Sequence, residues 1–311
     1  MTTNMSLRQV RMIDPVLSSV ALGYSNQSFI GHAIFPRVPV YAAGGQIIEF
    51  GKEAFLNYNL RRAPGGDTKR ISLGYAGKPY ALFQDALEIP IPFEHQRDAA
   101  AVVGINLQTN ATKKGMQIIL KSHEVEAAAL ATSAANYDAS NKLALAAGTK
   151  WSANTGLPVN DFDSGREAIR SQCGIYPNTA WFSAVAWNAF KNNAQLAERF
   201  KYTNADGVVT PDMVKDVLQV SEIVIGAGIT MSDQGTTSDI WGNNAGLCYV
   251  PPSPEDADTP AFGFTYTMDG DPRVEEIYWD QKAKSWVVPI THERAPVITA
   301  KSAGFLFQSP N

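Results

Sequence analysis

Cysteine is nearly absent from this chain of 311 residues: Cys173 and Cys248 are the only two. They are too few for a disulfide framework and too widely separated for a C-x-x-C metal or redox unit, so both are expected to be small buried hydrophobes. A surplus of positive charge is also missing, since 26 Lys and Arg stand against 30 Asp and Glu for a net charge of −4. That balance excludes a protein whose whole surface binds nucleic acid, while leaving room for local basic patches. Nowhere do about 18 apolar residues run uncharged, so no membrane span is expected. The opening MTTNMSLRQVRMIDP has no apolar core of a secretory signal, and a cytosolic product is expected. The sequons at Asn26 and Asn110 carry no meaning without export.

Recognisable catalytic and metal patterns are scarce too. The four histidines, His32, His95, His123 and His292, lie far apart and form neither H-x-x-x-H nor H-E-x-x-H, so they are assigned to core or surface. No G-x-S-x-G elbow occurs. The pairs Asp161/Asp163, Asp256/Asp258 and Asp269/Asp271 lack the spacing of a calcium loop and are assigned to helix caps and turns. One strand followed by Gly-x-Gly, IVIGAGITM from Ile223, suggests a nucleotide-binding α/β enzyme. Its third glycine is replaced by Met231 and a loop follows, which counts against a dinucleotide site. No catalytic residue, metal or cofactor is assigned.

What the chain does hold is a folding composition, 45% hydrophobic and 18% charged, and a distinctive order of elements. Residues 1 to about 45 read as an arm, with Arg8 and Arg11 ahead of any acid, then SNQSFIGHAIFPRVPV. Its apolar residues, Phe29, Ile30 and Phe35 among them, are interrupted by Pro36 and Pro39, which break helix and leave an extended segment that must lie on something else. From Gln46 to Phe55 and from Ile71 to Phe93 two strands are expected around a polar Pro-Gly-Gly tip, together a long hairpin. The span from Lys52 to Arg70 carries Lys52, Arg61, Arg62, Lys69 and Arg70 against Glu53 and Asp67.

A long helix is predicted over Asn110–Tyr137, because Met116, Ile119, Leu120, His123, Ala127, Leu130, Ala131 and Ala134 share one helical face. A short strand near NKLALAAGTKW follows, then a helix over Asp161–Gly174, capped by Asp161 or Asp163 and stopped by Gly174. The stretch YPNTAWFSAVAWNAF gives a strand over Thr179–Ser183 and a helix from Val185, with Trp181 and Trp187 as core. Pro211–Val220 reads as a helix and Ser221–Ile229 as a strand, and the chain beyond Pro260 turns to β-structure. From Glu255 to Asp280 eight acids face one base, Arg273, and this segment includes Glu255, Asp256, Asp258, Glu275 and Glu276.

Taken in order, these pieces resemble the major capsid proteins of tailed bacteriophages. The features that carry the resemblance are the arm ending FIGHAIFPRVPV, the hairpin with its basic tip, the long helix ending EVEAAALATSAANY, and then GTKWSANTGLPVNDFDSGREAI, YPNTAWFSAVAWNAFKNNAQLAERFKY and VLQVSEIVIGAG. The resemblance covers the chain from about residue 10 onward and rests on element order rather than any single motif. It implies an α+β capsid fold with an N-terminal arm (1–45), an extended loop (46–93), a peripheral domain with the spine helix (94–165 plus 271–311) and an axial domain (166–270). It implies no enzyme and no cofactor. Its partners would be further copies of the chain in hexamers and pentamers closing an icosahedral shell, a portal protein, and packaged double-stranded DNA held without sequence specificity. Many relatives carry a scaffolding segment before the arm. This chain starts almost directly with the arm, so scaffolding would fall to a separate protein or be unnecessary; decoration proteins would also be separate. The expected place is the virion, assembled in the cytoplasm of a bacterial host. An encapsulin-like compartment shell around a cargo enzyme is the alternative on the same fold.

Three surfaces follow as expectations. Phe29, Ile30 and Phe35 of the arm, with Arg61, Arg62, Lys69 and Arg70 of the hairpin tip, are expected at contacts between subunits. The acidic run with Glu255, Asp256, Asp258, Glu275 and Glu276 would receive the basic tip, and Arg8 and Arg11 would face DNA.

Overall fold

A computed structural model describes residues 14–22, 26, 28–49, 61, 76–100, 106–200, 210–253 and 260–311. The arm opens with helix α1 (Pro15–Leu22), started by Asp14, whose Oδ1 accepts from the amides of Val16 and Leu17. A single turn, α2 (Gly31–Ile34), leads to strand β1 (Arg37–Val40). Strands β2 (Gly44–Glu49) and β3 (Ala76–Ala81) then pair antiparallel, Gly44 opposite Ala81 and Glu49 opposite Ala76. Their pairing gives the base of the expected hairpin; its tip, apart from Arg61, lies outside the described residues.

Strand β4 (Phe83–Pro92) alternates strictly, turning Leu87, Ile89 and Ile91 inward and Ala86, Glu88 and Pro90 outward. It is followed by α3 (Phe93–Ala100) and by the long helix α4 (Leu107–Thr132). This helix begins three residues earlier than its apolar period suggests, because Asn106 caps it by accepting from the Thr109 amide at 3.0 Å. At 26 residues it is about 39 Å long. The predicted stripe is the buried face: Met116, Ile119, Leu120, His123, Ala127 and Ala131 are buried, Leu130 and Ala134 partly so.

Further along come β5 (Lys142–Ala144), α5 (Pro158–Cys173), β6 (Thr179–Ser183), α6 (Ala184–Lys191), α7 (Ala194–Phe200), α8 (Pro211–Leu218) and β7 (Glu222–Gly226). Helix α5 starts at Pro158 rather than Asp161, since proline is preset for a first turn. Neither expected cap serves: Asp161 lies inside the first turn and accepts from Trp151 Nε1 at 2.9 Å, while Asp163 lies near Arg166. Gly174 does end the helix, in the left-handed conformation at φ 70°. Strands β8 (Ile229–Met231), β9 (Thr237–Asp239), β10 (Asn244–Cys248), β11 (Gly263–Met268), β12 (Arg273–Val274), β13 (Tyr278–Asp280), β14 (Ser285–Ile298) and β15 (Gly304–Gln308) complete the chain.

Two sheets organise these strands. In the six-stranded sheet the 14-residue β14 is the axis: β4 pairs along one edge from Phe83 opposite Arg294 to Pro92 opposite Ser285, and β11, β12 and β13 follow one another on the other edge. The arm strand β1 adds parallel to β11. Helix α4 lies across this sheet so closely that a Cβ on Gly115 would fall 2.3 Å from Ile290 Cδ1. Met116, Ile119, Leu120, Val288, Ile290 and Leu17 of α1 fill the space between. The five-stranded sheet runs β5-β15-β10-β6-β7. Gly263–Met268 belongs to the first sheet and Gly304–Gln308 to the second.

Strand alternation separates the two tryptophans. Phe182 faces the helical side, where Trp151, Phe162, Trp187, Phe190 and Phe307 pack together. Trp181 points to the opposite side and packs on Trp241, 5.2 Å between ring centroids, near Phe262 and the end of α4. Both are core, as expected, but of different clusters. The Gly226-Ala227-Gly228 turn joins strand β7 to strand β8, so no helix N-terminus is offered to a phosphate and the nucleotide reading falls.

Candidate functional site: the arm anchor and the exposed contact surfaces

The arm is fixed to the spine helix α4 by one buried acid. Glu124, 1% exposed, accepts from the amides of Ile30 at 2.8 Å and Gly31 at 2.7 Å, and from Trp241 Nε1 at 2.6 Å. Oε1 serves Ile30 and Trp241, and Oε2 serves Gly31. The two backbone donors belong to the start of α2, where amides lack intrahelical partners, so the carboxylate satisfies groups that burial would otherwise leave bare. Burial raises the proton affinity of Glu124, and the three donors pull it back. A side chain at Gly31 would meet Glu124 Oε2 at 2.7 Å, which is why the arm can approach so closely. Three separate parts of the chain, arm, spine helix and the segment before β10, meet at this carboxylate.

Beside it lies a basic cluster that no spacing in the sequence announced. His32 of α2 stacks on His123 of α4, ring centroids 4.1 Å apart. Arg37 of β1 donates from Nε to His32 Nε2 at 3.2 Å, which makes that nitrogen an acceptor and the imidazole neutral. Thr265 donates its hydroxyl to the Phe35 carbonyl at 3.1 Å, so its contact with His123 Nε2 at 3.0 Å leaves His123 as the donor. On β14, two residues apart and therefore on one face, His292 and Arg294 complete the group, with Arg294 Nη1 3.2 Å from His292 Nδ1. Arg294, 2% exposed, pairs with Asp85 at 2.6 Å and Glu126 at 3.5 Å. Burial, followed by the field of the two guanidiniums, lowers His32 to about 3; burial and Arg294 lower His292 to about 2, and His123 is held well below its ordinary value. Among the described residues no group of His, Cys, Asp and Glu is arranged to hold a metal ion.

The predicted contact residues separate sharply. Ile30 (4% exposed) and Phe35 (0%) are buried inside their own chain, Phe35 against Phe262, so they are not available to a neighbour. The arm was expected to leave its subunit; parallel pairing of β1 with β11 gives it a place at home instead. Phe29 is partly buried beside Gly228. Arg61 is exposed, while Arg62, Lys69 and Arg70 lie outside the described residues, as do Arg8, Arg11, Glu255, Asp256 and Asp258. Glu276 is exposed, and the half-buried Glu275 accepts from Thr291 Oγ1 at 3.3 Å.

Large apolar side chains that are exposed include Tyr41 (77%) and Phe83 (73%), which flank the β2–β3 hairpin, and Ile229 and Met231 on β8. The base of the hairpin is packed by Tyr80, stacked on Tyr266 at 4.7 Å. A two-stranded ribbon of this kind has little stability by itself. Both cysteines are buried, and burial pushes the Cys248 thiol far up. No helix among the described residues is long and apolar enough to cross a membrane.

Comparison with known proteins agrees with this architecture. A family model described as phage major capsid protein E matches residues 126–255, from the end of the spine helix through β10. The major capsid protein of Burkholderia phage BcepMu is 33% identical over 310 residues, 98% of this chain and 99% of the relative. The crystal structure of a phage-related protein from Bordetella bronchiseptica RB50 superimposes with a TM-score of 0.84 at 39% identity, covering 97% of this chain and 98% of that one. The capsid structure of cyanophage P-SCSP1u shares the fold at 10% identity, with a TM-score of 0.59 over 92% of this chain and 89% of its own. With its α+β capsid fold and a full-length relative at this identity, the chain belongs to the phage major capsid proteins and is a structural subunit of the capsid.

Proposed function

We propose that this subunit assembles through hexamers and pentamers into an icosahedral shell around packaged double-stranded DNA, in the cytoplasm of a bacterial host, with a portal protein at one vertex. Self-assembly into a shell and a place in the virion follow from the family. The observation that supports the finer reading is the hairpin. Residues 41–46, Gly77, Pro79 and Ala81 are exposed, and Tyr41 and Phe83 present bare aromatic surface beside them. A ribbon so poorly covered by its own subunit gains stability by lying on another, and interfaces of that obligate kind bury on the order of 2,000 Å² or more.

In this reading the hairpin tip, with Arg61, Arg62, Lys69 and Arg70, docks on acidic surface of the adjacent subunit within Glu255 to Asp280, of which Glu276 is exposed. Opposite fields steer such encounters and reject wrong registers more than they add affinity. The four-part division into arm (1–45), loop (46–93), peripheral (94–165 plus 271–311) and axial (166–270) domains is retained as a proposal; α4, β12, β13 and β14 fall in the peripheral part, and β6, β7 and β10 in the axial part.

The test is Arg61→Glu with Arg62→Glu, followed by negative-stain microscopy and circular dichroism of the expressed protein. The expected result is a folded subunit that gives few closed shells. A normal yield of shells would remove the docking role.

A further inference from the structure

The cluster around His32 couples the arm to the rest of the subunit through neutral imidazoles. His32 accepts from Arg37, and its ring lies flat on His123 of the spine helix. His123 in turn donates to Thr265, whose hydroxyl bonds the Phe35 carbonyl of the arm. The chain of contacts therefore runs from arm to helix to β11 and back to the arm. A proton on His32 Nε2 would set a donor against the Arg37 guanidinium, at 3.0 Å from its Nη2, and would place a second cation in a stack with His123.

Every charged group that faces this spot is already committed. On α4, Glu124 serves the three donors of the anchor, and Glu126 lies at Arg294. On β4, Asp85 pairs with Arg294, and on β14 both Arg294 and His292 add to the basic side. β11 contributes only the neutral Thr265 hydroxyl. Among the described residues an added positive charge finds no uncommitted counter-ion, and burying an uncompensated charge is among the costliest local changes a fold can meet.

We propose that the His32–His123 contact is an acid-sensitive latch, protonation of which frees arm residues 28–40 from α4 and β11 while the five-stranded sheet stays folded. Ile30, Ile34 and Phe35 of the arm pack with Trp181, Cys248 and Leu306 on one face of that sheet, whereas the core on its other face, with Trp151, Phe162 and Phe182, takes no arm residue and can stay closed when the arm opens. The inference concerns the subunit alone and does not depend on how subunits pack.

The direction follows from linkage. An imidazole whose proton affinity is lower in the closed arm than in the open one favours opening as pH falls below about 6.5, tenfold per pH unit for each such histidine. Between pH 7.5 and 5.0 one histidine gives about a 30-fold rise in the open fraction, and the pair gives more.

The experiment is hydrogen exchange read by mass spectrometry on the intact chain between pH 7.5 and 5.0, corrected for intrinsic exchange. Arm peptides within 28–40 are compared with core peptides over Thr179–Lys191. Arm protection is expected to fall by at least about 30-fold from pH 7.5 to 5.0 with the core unchanged, and His32→Gln with His123→Gln is expected to flatten that dependence. Arm protection that is independent of pH, loss of arm and core together, or full pH dependence in the double variant would each overturn the latch. If the variant does not fold, the comparison of arm with core in the unaltered protein still decides.

Discussion

Replacing Glu124 tests the anchor most directly, because its two oxygens have separate duties. In Glu124→Ala all three donors, the Ile30 and Gly31 amides and Trp241 Nε1, lose their acceptor in a site that is 1% exposed. Each buried donor left bare costs about 1–3 kcal/mol. Removing the carboxylate also removes its own desolvation penalty, visible in its raised proton affinity, and a net loss of about 3–5 kcal/mol is expected. Glu124→Gln behaves differently. An amide oxygen at the Oε1 position keeps Ile30 and Trp241, while its NH2 group faces the Gly31 amide, so one contact is lost at about 1–3 kcal/mol. Urea unfolding of the purified subunit, followed by tryptophan fluorescence, gives both values from the midpoint at constant slope. An alanine variant within about 0.5 kcal/mol of the parent, or one more stable than the glutamine variant, would refute the anchor.

Arg294→Ala should cost about 1–3 kcal/mol in the same assay, less than a fully buried pair because Asp85 and Glu126 are 36% and 45% exposed. It should also raise the proton affinity of Glu126 further, since burial already raises it and Arg294 opposes that rise; carboxyl-resolved NMR titration checks the direction. Deleting residues 1–11, with Arg8 and Arg11, should lower the DNA content of purified particles at unchanged subunit stability, and an unchanged content would dismiss a DNA-facing role.

Much of the architecture was legible because it is local. The stripe from Met116 to Ala131 names the buried face of α4, since a 3.6-residue period has one physical cause, and Gly174 marks a helix end for an equally local reason. Errors came where two local signals competed. Asp161 is a good capping residue, but Pro158 three positions earlier starts the helix first. The arm's prolines say "extended" without saying on what; the strand beside it, β11, lies more than 200 residues away in the chain.

The anchor and the basic cluster were illegible for the same reason. His32, Arg37, His123, His292 and Arg294 come from four elements and share no spacing. One clue was present: Glu124 sits on the apolar side of α4, beside His123 and one turn from Leu120 and Ala127, and an acid there must be paired or hydrogen-bonded. Likewise His292 and Arg294, two residues apart on a strand, had to face the same way.

The position of β15 sets a clock on the subunit. Gly304–Gln308 is not an edge but lies between β5 and β10, and it supplies Phe305 and Phe307 to one core and Leu306 to the other. A nascent chain short of residue 304 therefore has both cores open and two strand edges, Lys142–Ala144 and Asn244–Cys248, without a partner. From Cys248 to Gly304 there are 56 residues, which the ribosome adds in roughly 3 to 11 s at roughly 5–20 residues per second. For that interval the unfinished sheet is exposed to pairing with other chains, as any bare strand edge is. A polypeptide cut short before Gly304 thus lacks the strand that joins β5 to β10, because β15 follows every other strand of its sheet in the chain.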